Sequence, residues 1–417
     1  MNILVAKMKS LDYDKIYLYL IVSFAFTMPL SRAAISFFIL LLVFVWIIER
    51  DFKKKYEKIK SSKTLLTIIL FYCVILFSAI ISSNEETASK FIRLYGYWIV
   101  IIIIATSLKK EYISAVITSF LLGMFVSEII AYGVFFELWE FGKATKENPS
   151  PFMMHIDYSI FLAFTSILLF NRIISKNYSF KEKFFMILFF CSTTGNLFLS
   201  TGRTGQATFI FAVIFMFFLY YKLNIKTILY SFISLLVIYF LAFNLRNSFE
   251  KRVYEAKSDI HQMISGNFYS SFGIRASYYM ISYDILKDNL IFGVGIGDYK
   301  EVIVETLKKE PFNKFPPQMI KMMENTHAHN QFLMVLIQMG LLGMIIVILI
   351  FYNLITISLK FSGEHKNIFL LFLVIYFISS NTDPSWYKQF TLVLWVLFTG
   401  LISIGEIDFY KSYKKQN

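Results

Sequence analysis

Apolar and polar residues occur in alternating blocks along this chain. The apolar blocks approach about 20 residues, the length of helix that crosses the hydrocarbon core of a bilayer, and short charged segments separate them. The pattern predicts an all-α polytopic membrane protein. We expect about twelve membrane-spanning helices, at residues 16–30, 33–49, 64–82, 92–107, 112–134, 157–173, 184–200, 204–221, 227–245, 331–358, 367–381 and 388–405.

The charged residues give this predicted bundle an orientation. The net charge is +13, and Lys and Arg concentrate in short segments between apolar blocks, at 49–63, 107–111, 171–183, 221–226 and 360–366. Short basic loops tend to remain on the cytoplasmic side of a membrane. We therefore expect both termini in the cytoplasm. We also assign the basic residues to this bias and to anionic lipid, rather than to nucleic acid.

The composition excludes a soluble globular fold. Hydrophobic residues make up 57% of the chain and charged residues only 17%, which is too little charge to cover the surface of a soluble protein of this length. Both cysteines, Cys73 and Cys191, lie inside apolar blocks. This placement argues against a disulfide framework.

One long polar segment interrupts the spans. Residues 246–330 are predicted to lie outside the membrane, between nine spans in residues 1–245 and three spans with a cytoplasmic tail in residues 331–417. Within the segment, apolar residues recur at helical spacing over 274–289. The sequence GVGIGDY at 293–299 lacks the strand and helix that flank a dinucleotide-binding loop. We interpret it as a tight backbone turn.

Two arginines lie where a membrane protein can meet an anion. Arg203 stands in STGRTGQ, between two spans with almost no loop, and Arg275 opens the predicted outer helix. A guanidinium keeps its charge and offers a planar fork to phosphate. The start of a helix is also a poor place for a cation with respect to the helix dipole. The alternatives are snorkelling to the interface for Arg203 and an ordinary surface position for Arg275.

Two histidines, His327 and His329, precede the apolar run that begins near residue 331. At the outer interface, the neutral imidazole of His329 can take a proton from a hydroxyl; the alternative is a histidine that hydrogen-bonds to the helix N-terminus. The two rings share a face only in an extended chain, and no further residues with metal-ligand spacing are near. We therefore expect neither a metal ion nor a cofactor.

Other polar residues lie near the predicted outer ends of spans. His155 and Asp157 open one span, and Asp383 lies in the last outer loop; such positions are typical of helix caps and interface residues. Arg93 and Glu128 lie in or near adjacent spans. We expect these two residues either to pair or to line a cavity.

The order of these features resembles that of the O-antigen ligase family. His329 and Asn330, followed after nine residues by Gly340 and after two more by Gly343, match the family's terminal motif at the mouth of a late span. Residues 273–299 resemble its outer-loop block of arginine, helix and glycine turn. STGRTGQ at 200–206 is similar to its central Ser-x-Ser-Arg-Gly motif, with Gly202 in place of the usual Ser and Thr204 in place of the usual Gly.

The resemblance, which covers roughly residues 195–345, implies an inner-membrane glycosyltransferase with its active site at the periplasmic face. The donor would be a glycan on undecaprenyl pyrophosphate, and the acceptor would be lipid A–core. Arg203 and Arg275 would stabilise the leaving pyrophosphate, and His329 would orient or deprotonate the acceptor hydroxyl. The anomeric centre would invert, without a metal ion or cofactor.

The expected active site extends beyond the three catalytic candidates. The segment 246–330 would cover it. The candidate substrate-binding residues are His155, His327, Asn330 and Asp383.

Two other interpretations remain open. An O-antigen polymerase or a protein O-oligosaccharyltransferase of the same superfamily would use a different acceptor. A transporter of lipid or glycan also fits a bundle of about twelve spans, but it would require polar sites at mid-depth and repeated broken helices. Here the polar residues gather at one face, and the sequence contains no internal repeat.

Overall fold

The structure, a computed structural model, describes residues 12–221 and 268–416, with isolated positions between them. Helices form most of this described part, and no β-strand occurs in it. The predicted ninth span, 227–245, lies outside the described residues, as does most of the first part of the predicted outer segment, 246–267.

Short loops connect most of the helices before residue 222. These helices are α1 Tyr13–Thr27, α2 Arg32–Ile48, α3 Phe52–Lys60, α4 Lys63–Ile80, α5 Glu85–Tyr95, α6 Ile99–Ser107, α7 Ile113–Phe135, α8 His155–Ile174, α9 Phe180–Leu199 and α10 Arg203–Tyr221. A longer loop, 136–154, connects α7 to α8. The helices after residue 268 are α11 Ser271–Asn289, α12 Tyr299–Leu307, α13 Pro317–Asn325, α14 Gln331–Lys360, α15 Gly363–Ser380 and α16 Gln389–Gln416.

The protein is a membrane protein with several helices able to cross a bilayer. Within the described residues, 7 helical stretches are long and apolar enough, and the pair α2 and α3, bent by 111°, would make an eighth. Helices α1, α9 and α15 occupy predicted spans but are shorter or more polar than this criterion requires. The predicted total of about twelve spans therefore stays a prediction.

Contacts join loops that the charge pattern predicts on the same side. At one end of the bundle, the Arg172 Nε lies 3.0 Å from Glu364 Oε1, which brings the end of α8 to the start of α15. At the opposite end, the hydroxyls of Thr204 and Thr382 lie 3.2 Å apart, which brings the start of α10 to the loop after α15. The candidate catalytic residues belong to the second end.

Helix α11 confirms the helical pattern predicted for residues 274–289. The four apolar residues Ile274, Tyr278, Ile281 and Ile285 all lie on one buried face. This face packs against α12, α13 and the first turns of α14, and together they form a second hydrophobic core outside the main bundle. The second core holds the start of α14 in place.

Helix α14 is broken at Gly340, where φ is +62°. The segment after α11 is inserted at the break and forms backbone hydrogen bonds on both sides of it. Leu341 N donates to Leu290 O at 2.8 Å, and Val294 N donates to Ile337 O at 2.8 Å. A break in a membrane helix leaves backbone groups without helical partners, and the inserted segment supplies those partners.

The break divides the predicted span 331–358 into two helical segments. The inserted segment is the glycine turn predicted at 293–299, and Gly293 and Gly295 indeed have φ of +71° and +101°. A Cβ on Gly293 would lie 2.5 Å from the Gln338 carbonyl carbon, so the turn approaches α14 too closely for a side chain. The interpretation as a tight backbone turn is confirmed.

Replacement of Gly340 by Ala should lower the thermal unfolding midpoint of the detergent-solubilised protein. The new Cβ would impose a cost of about 1–3 kcal/mol for the positive φ, and it would also meet the Ile291 carbonyl oxygen at 2.3 Å. Gly363 is the matched control, because its φ is +57° and no atom lies within 4 Å of its Cβ position. Equal loss of stability in Gly340→Ala and Gly363→Ala would mean that the inserted segment does not constrain the break.

Candidate active site

The site begins at the turn that precedes α14. Asn330 caps the helix, since its Oδ1 accepts a hydrogen bond from Leu333 N at 3.0 Å. Its Nδ2 donates to the Tyr279 hydroxyl of α11 at 2.7 Å, and it also points toward the carbonyl of Asn381 at 3.4 Å. The amide was predicted to bind substrate. In the structure it joins α11, α14 and the loop after α15, which favours a positioning role.

His329 lies directly before this cap in a backbone conformation that is uncommon for residues other than glycine. Its φ is +49°, a left-handed conformation that costs free energy in a residue with a Cβ and is often found at functional sites. The side chain is 25% exposed, and its Nδ1 lies 3.8 Å from Asp383 Oδ1. At this distance the two groups interact electrostatically but do not form a hydrogen bond. The ring remains accessible from the surface of the protein.

Asp383 belongs to a buried group of charges that the sequence did not indicate. Lys388 Nζ contacts Asp383 Oδ2 and also lies 3.3 Å from Asp157 Oδ1. The two carboxylate side chains are only 2% and 1% exposed. The ammonium of Lys388 is therefore the counter-ion of two buried carboxylates, one from the start of α8 and one from the loop after α15.

The charges around Asp383 determine how it titrates. Burial alone would raise the pKa of this carboxyl, but contact with His329 and the positive charge of Lys388 outweigh burial and hold the pKa below its usual value. Burial lowers the pKa of Lys388, whereas the charges of Asp157 and Asp383 raise it, with a net increase. Asp383 is therefore an ionised acceptor that faces His329.

Arg275 interacts electrostatically with both Asp383 and Arg203. Burial lowers the pKa of Arg275, the charge of Asp383 raises it, and the charge of Arg203 lowers it again. Arg275 and His329 line one pocket of about 370 Å³, together with Tyr269 and Met322 among others. The structure thus brings the three predicted catalytic candidates to one end of the bundle.

The start of α10 lies close against α8 and so fixes the backbone at Arg203. A Cβ on Gly205 would lie 2.1 Å from the Ser159 carbonyl oxygen, and Gly205 N donates to Ser159 Oγ at 3.1 Å. Arg203 is the exposed first residue of α10. The dipole of a helix favours anions at its N-terminus, so the helix dipole and the guanidinium both favour an anion at this position.

His327 and His155 occupy different surroundings. The His327 ring centroid lies 4.6 Å from that of His329, and burial lowers the pKa of His327 to about 4, so this imidazole is neutral near pH 7. His155 is the first residue of α8, and its carbonyl oxygen lies beneath Gly202. The structure therefore places the backbone of His155 beside the turn that carries Arg203.

Three side chains have the spacing of a metal site. One ligand atom each from His327, His329 and Asp383 lie within 4.8 Å of one another. However, Lys388 already contacts the carboxylate, and the charge of Arg275 interacts with the same group. A divalent cation would enter a field that is already positive, whereas an anionic substrate would be attracted by it.

One expected ion pair does not form. Glu128 accepts hydrogen bonds from Thr193 and from Ser192, the latter at 2.8 Å, and Arg93 Nε donates to the Ser89 carbonyl at 3.4 Å. Of the two alternatives expected for Arg93 and Glu128, the ion pair is therefore wrong, and the lining of a cavity stays a prediction. The hydroxyls of α9 had no pattern that marked them as partners of a carboxylate in α7.

Residues 185–348 match the family model described as O-antigen ligase. This match supports the resemblance of the chain to the O-antigen ligase family. The match includes Arg203, Arg275 and His329, whereas Asp383 and Lys388 lie beyond its end. No curated protein matches the chain.

The terminal motif that resembles the O-antigen ligase family has a structural explanation. Asn330 caps α14, Gly340 permits the break, and Gly343 lies where a Cβ would be 2.5 Å from Met339 Cβ. The spacing of the motif therefore corresponds to one short helical segment between cap and break. His329 lies directly before the N-terminal cap of this segment.

Sequence reasoning missed Lys388, Asp157 as its partner, and Tyr279. One signal was available for Lys388. It is a lysine at the predicted outer end of a span, where the bias toward basic cytoplasmic loops does not place it. A lysine that departs from this bias is expected to have a specific partner, and Lys388 contacts both Asp157 and Asp383.

Replacement of Lys388 by Met should destabilise the protein by about 3 kcal/mol or more, because two buried carboxylates would lose their shared counter-charge. Thermal unfolding of the solubilised protein measures the loss. The double variant Lys388→Met with Asp157→Asn should recover part of the stability, since one of the two uncompensated charges is gone. An unchanged midpoint in the single variant would mean that Lys388 is not the counter-ion.

Proposed function

We propose that this protein is an O-antigen ligase-type glycosyltransferase. It would move a glycan from undecaprenyl pyrophosphate to lipid A–core at the periplasmic face of the inner membrane. The observation that carries the proposal is that Arg203, Arg275 and His329, from three different helices or their caps, lie at one end of the bundle with Asp383. The match of residues 185–348 to the O-antigen ligase family model supports the reaction class.

In the proposed reaction, an acceptor hydroxyl attacks the anomeric carbon of the donor sugar. A new carbon–oxygen bond forms, the bond from the anomeric carbon to the pyrophosphate oxygen breaks, and the pyrophosphate leaves with the electron pair. Direct attack from the opposite face inverts the anomeric centre. The energy for transfer is already in the donor, so a nucleotide is not required.

Each side chain of the candidate site has a separate role in this step. His329 takes the proton of the acceptor hydroxyl, and Asp383, which faces Nδ1, orients the ring and stabilises the imidazolium that forms. Arg203 and Arg275 stabilise the charge that develops on the leaving pyrophosphate. Asn330 holds the turn that carries His329. His327 is neutral and partly buried, and it supports the ring of His329.

Replacement of His329 by Ala should abolish transfer and leave the protein folded in the membrane. The test is a strain that lacks this gene, complemented with wild-type or variant protein, with surface glycans on a gel beside extracted lipid-linked glycans. Without the proton acceptor, the glycan ladder should vanish from lipid A–core while full-length polymer accumulates on undecaprenyl pyrophosphate. A normally expressed His329→Ala protein with near-wild-type activity would refute the role of His329 as the proton acceptor.

The same gel separates the ligase from its relatives. A core that carries a single repeat without a ladder would identify a polymerase. Normal patterns for both glycans in the deletion strain would favour a protein O-oligosaccharyltransferase or a transporter.

Replacement of Arg203 by Lys should reduce transfer at least tenfold, since a point charge cannot replace a planar, bidentate fork. Initial rates with purified protein and a lipid-linked donor measure the effect. Lys183→Arg, which changes a basic residue at the start of α9, is the control and should leave the rate unchanged. Full activity of Arg203→Lys would mean that Arg203 only anchors the helix at the membrane interface and does not stabilise the leaving group.

A further inference from the structure

One face of α11 carries a row of side chains that leads away from the candidate active site. The members of the row stand at intervals of four residues and are Arg275, Tyr279, Tyr283 and Lys287. Residues at this interval are neighbours on the surface of a helix. The two tyrosines are 51% and 70% exposed, whereas the other face of α11 is buried in the second hydrophobic core. The row is therefore an open surface that begins at a residue of the site.

Tyr279 differs from an ordinary tyrosine at a membrane interface. Such tyrosines direct the apolar ring toward lipid and the hydroxyl toward water. The hydroxyl of Tyr279 instead accepts a hydrogen bond at 2.7 Å from Asn330 Nδ2, in the cap that follows His329. This bond fixes the ring while about half of the residue stays exposed. The ring is thus held beside the site as a platform on which a ligand can stack.

Tyr283 combines an exposed ring with hydrogen-bonding groups. Lys287 Nζ lies 5.2 Å from the centroid of the Tyr283 ring and 2.8 Å from Asp284 Oδ1. An ion pair this exposed contributes little to stability, so both charged groups are available to a ligand. Sugars have apolar C–H faces that stack on aromatic rings, and they have hydroxyls that bond to carboxylates and ammonium groups. The row therefore has the chemistry of a carbohydrate-binding surface.

The row ends at a group of exposed apolar side chains. Leu290, Ile291 and Phe292 follow α11 and are all exposed. Leu341 N of α14 donates to Leu290 O at 2.8 Å, and the ring centroid of Phe292 lies 5.5 Å from that of Phe77 in α4. Both α4 and α14 are long and apolar enough to cross a bilayer. The far end of the row therefore lies beside helices that hydrocarbon can surround.

This order of groups matches an acceptor glycolipid. In lipid A–core, sugars separate the reacting hydroxyl from the acyl chains, and the row from Arg275 to Lys287 covers about 18 Å at a rise of about 1.5 Å per residue. In the donor, the pyrophosphate alone separates the bond that breaks from the lipid tail, so the donor has no sugars to place between the site and the membrane. An acceptor needs this distance.

We propose that the exposed face of α11 binds the acceptor, with its sugars against Tyr279 and Tyr283 and its acyl chains at residues 290–292. The reacting hydroxyl then lies at His329, where the row begins. The proposal rests on the proposed function and adds the place at which the acceptor is held.

Removal of the Tyr283 ring should weaken binding of the acceptor alone. Tyr283→Leu keeps an apolar side chain but removes the stacking face. We expect the KM for lipid A–core to rise at least fivefold in nanodiscs, while kcat and the KM for the lipid-linked donor stay within twofold of wild type. Tyr283→Phe keeps the ring and should keep the wild-type KM. An equal rise in both KM values, or a fall in kcat alone, would mean that Tyr283 supports the fold of α11 and would overturn the proposal.

Tyr19→Leu is the matched control. Tyr19 lies on α1 and is 66% exposed, so the same substitution removes a tyrosine of similar exposure from a helix that takes no part in the row. It should keep the wild-type KM for both substrates. A rise in the acceptor KM as large as that of Tyr283→Leu would mean that loss of any interfacial tyrosine has this effect, and the proposal would be wrong.

A second measurement does not depend on turnover. The photoreactive residue p-benzoylphenylalanine, in place of Tyr283 in the full-length protein, should cross-link to lipid A–core in phosphatidylethanolamine nanodiscs that contain it. The same residue in place of Tyr19 should capture phospholipid alone. Capture of phospholipid alone at position 283, or of a lipid-linked donor in preference to lipid A–core, would overturn the proposal. Wild-type protein that transfers no glycan would refute the proposed function, and the cross-link would still decide what α11 binds.

Discussion

The candidate active site of this protein depends on the hydrogen bonds that form where helix α14 is broken. Gly340 ends one helical segment of α14 and begins another, and a helix broken at this depth must find partners for its backbone N–H and C=O groups. The segment 290–296 provides them. Because that segment follows α11 directly, the same bonds fix both the helix that carries Arg275 and the short helical segment that presents His329.

A second set of contacts fixes the part of the site formed by the start of α8 and the loop between α15 and α16. The ammonium of Lys388 holds the carboxylates of Asp157 and Asp383, and so ties the start of α8 to the loop between α15 and α16. The backbone contact of Gly205 with Ser159 then places the start of α10 against α8. The candidate catalytic groups are thus fixed by two independent sets of contacts, one of backbone groups and one of buried charges.

Much of this could be predicted from the sequence, because the signals are local. The helical spacing of Ile274, Tyr278 and Ile281 indicated α11, and the charge pattern placed Arg203 and His329 at the same end. The break at Gly340 could not be predicted, since apolar residues continue on both sides and the segment that stabilises the break lies some 45 residues earlier. The role of Lys388 depends equally on carboxylates that only the fold brings near.

The shared ammonium of Lys388 has a consequence for how the protein is made. Asp157 enters the membrane region during synthesis more than half a chain length before Lys388 is translated. Until Lys388 is in place, the carboxylate of Asp157 lacks this counter-charge. The charge balance at the start of α8 is therefore completed only by a much later part of the chain, and we expect a chain cut before Lys388 to leave the start of α8 more hydrated.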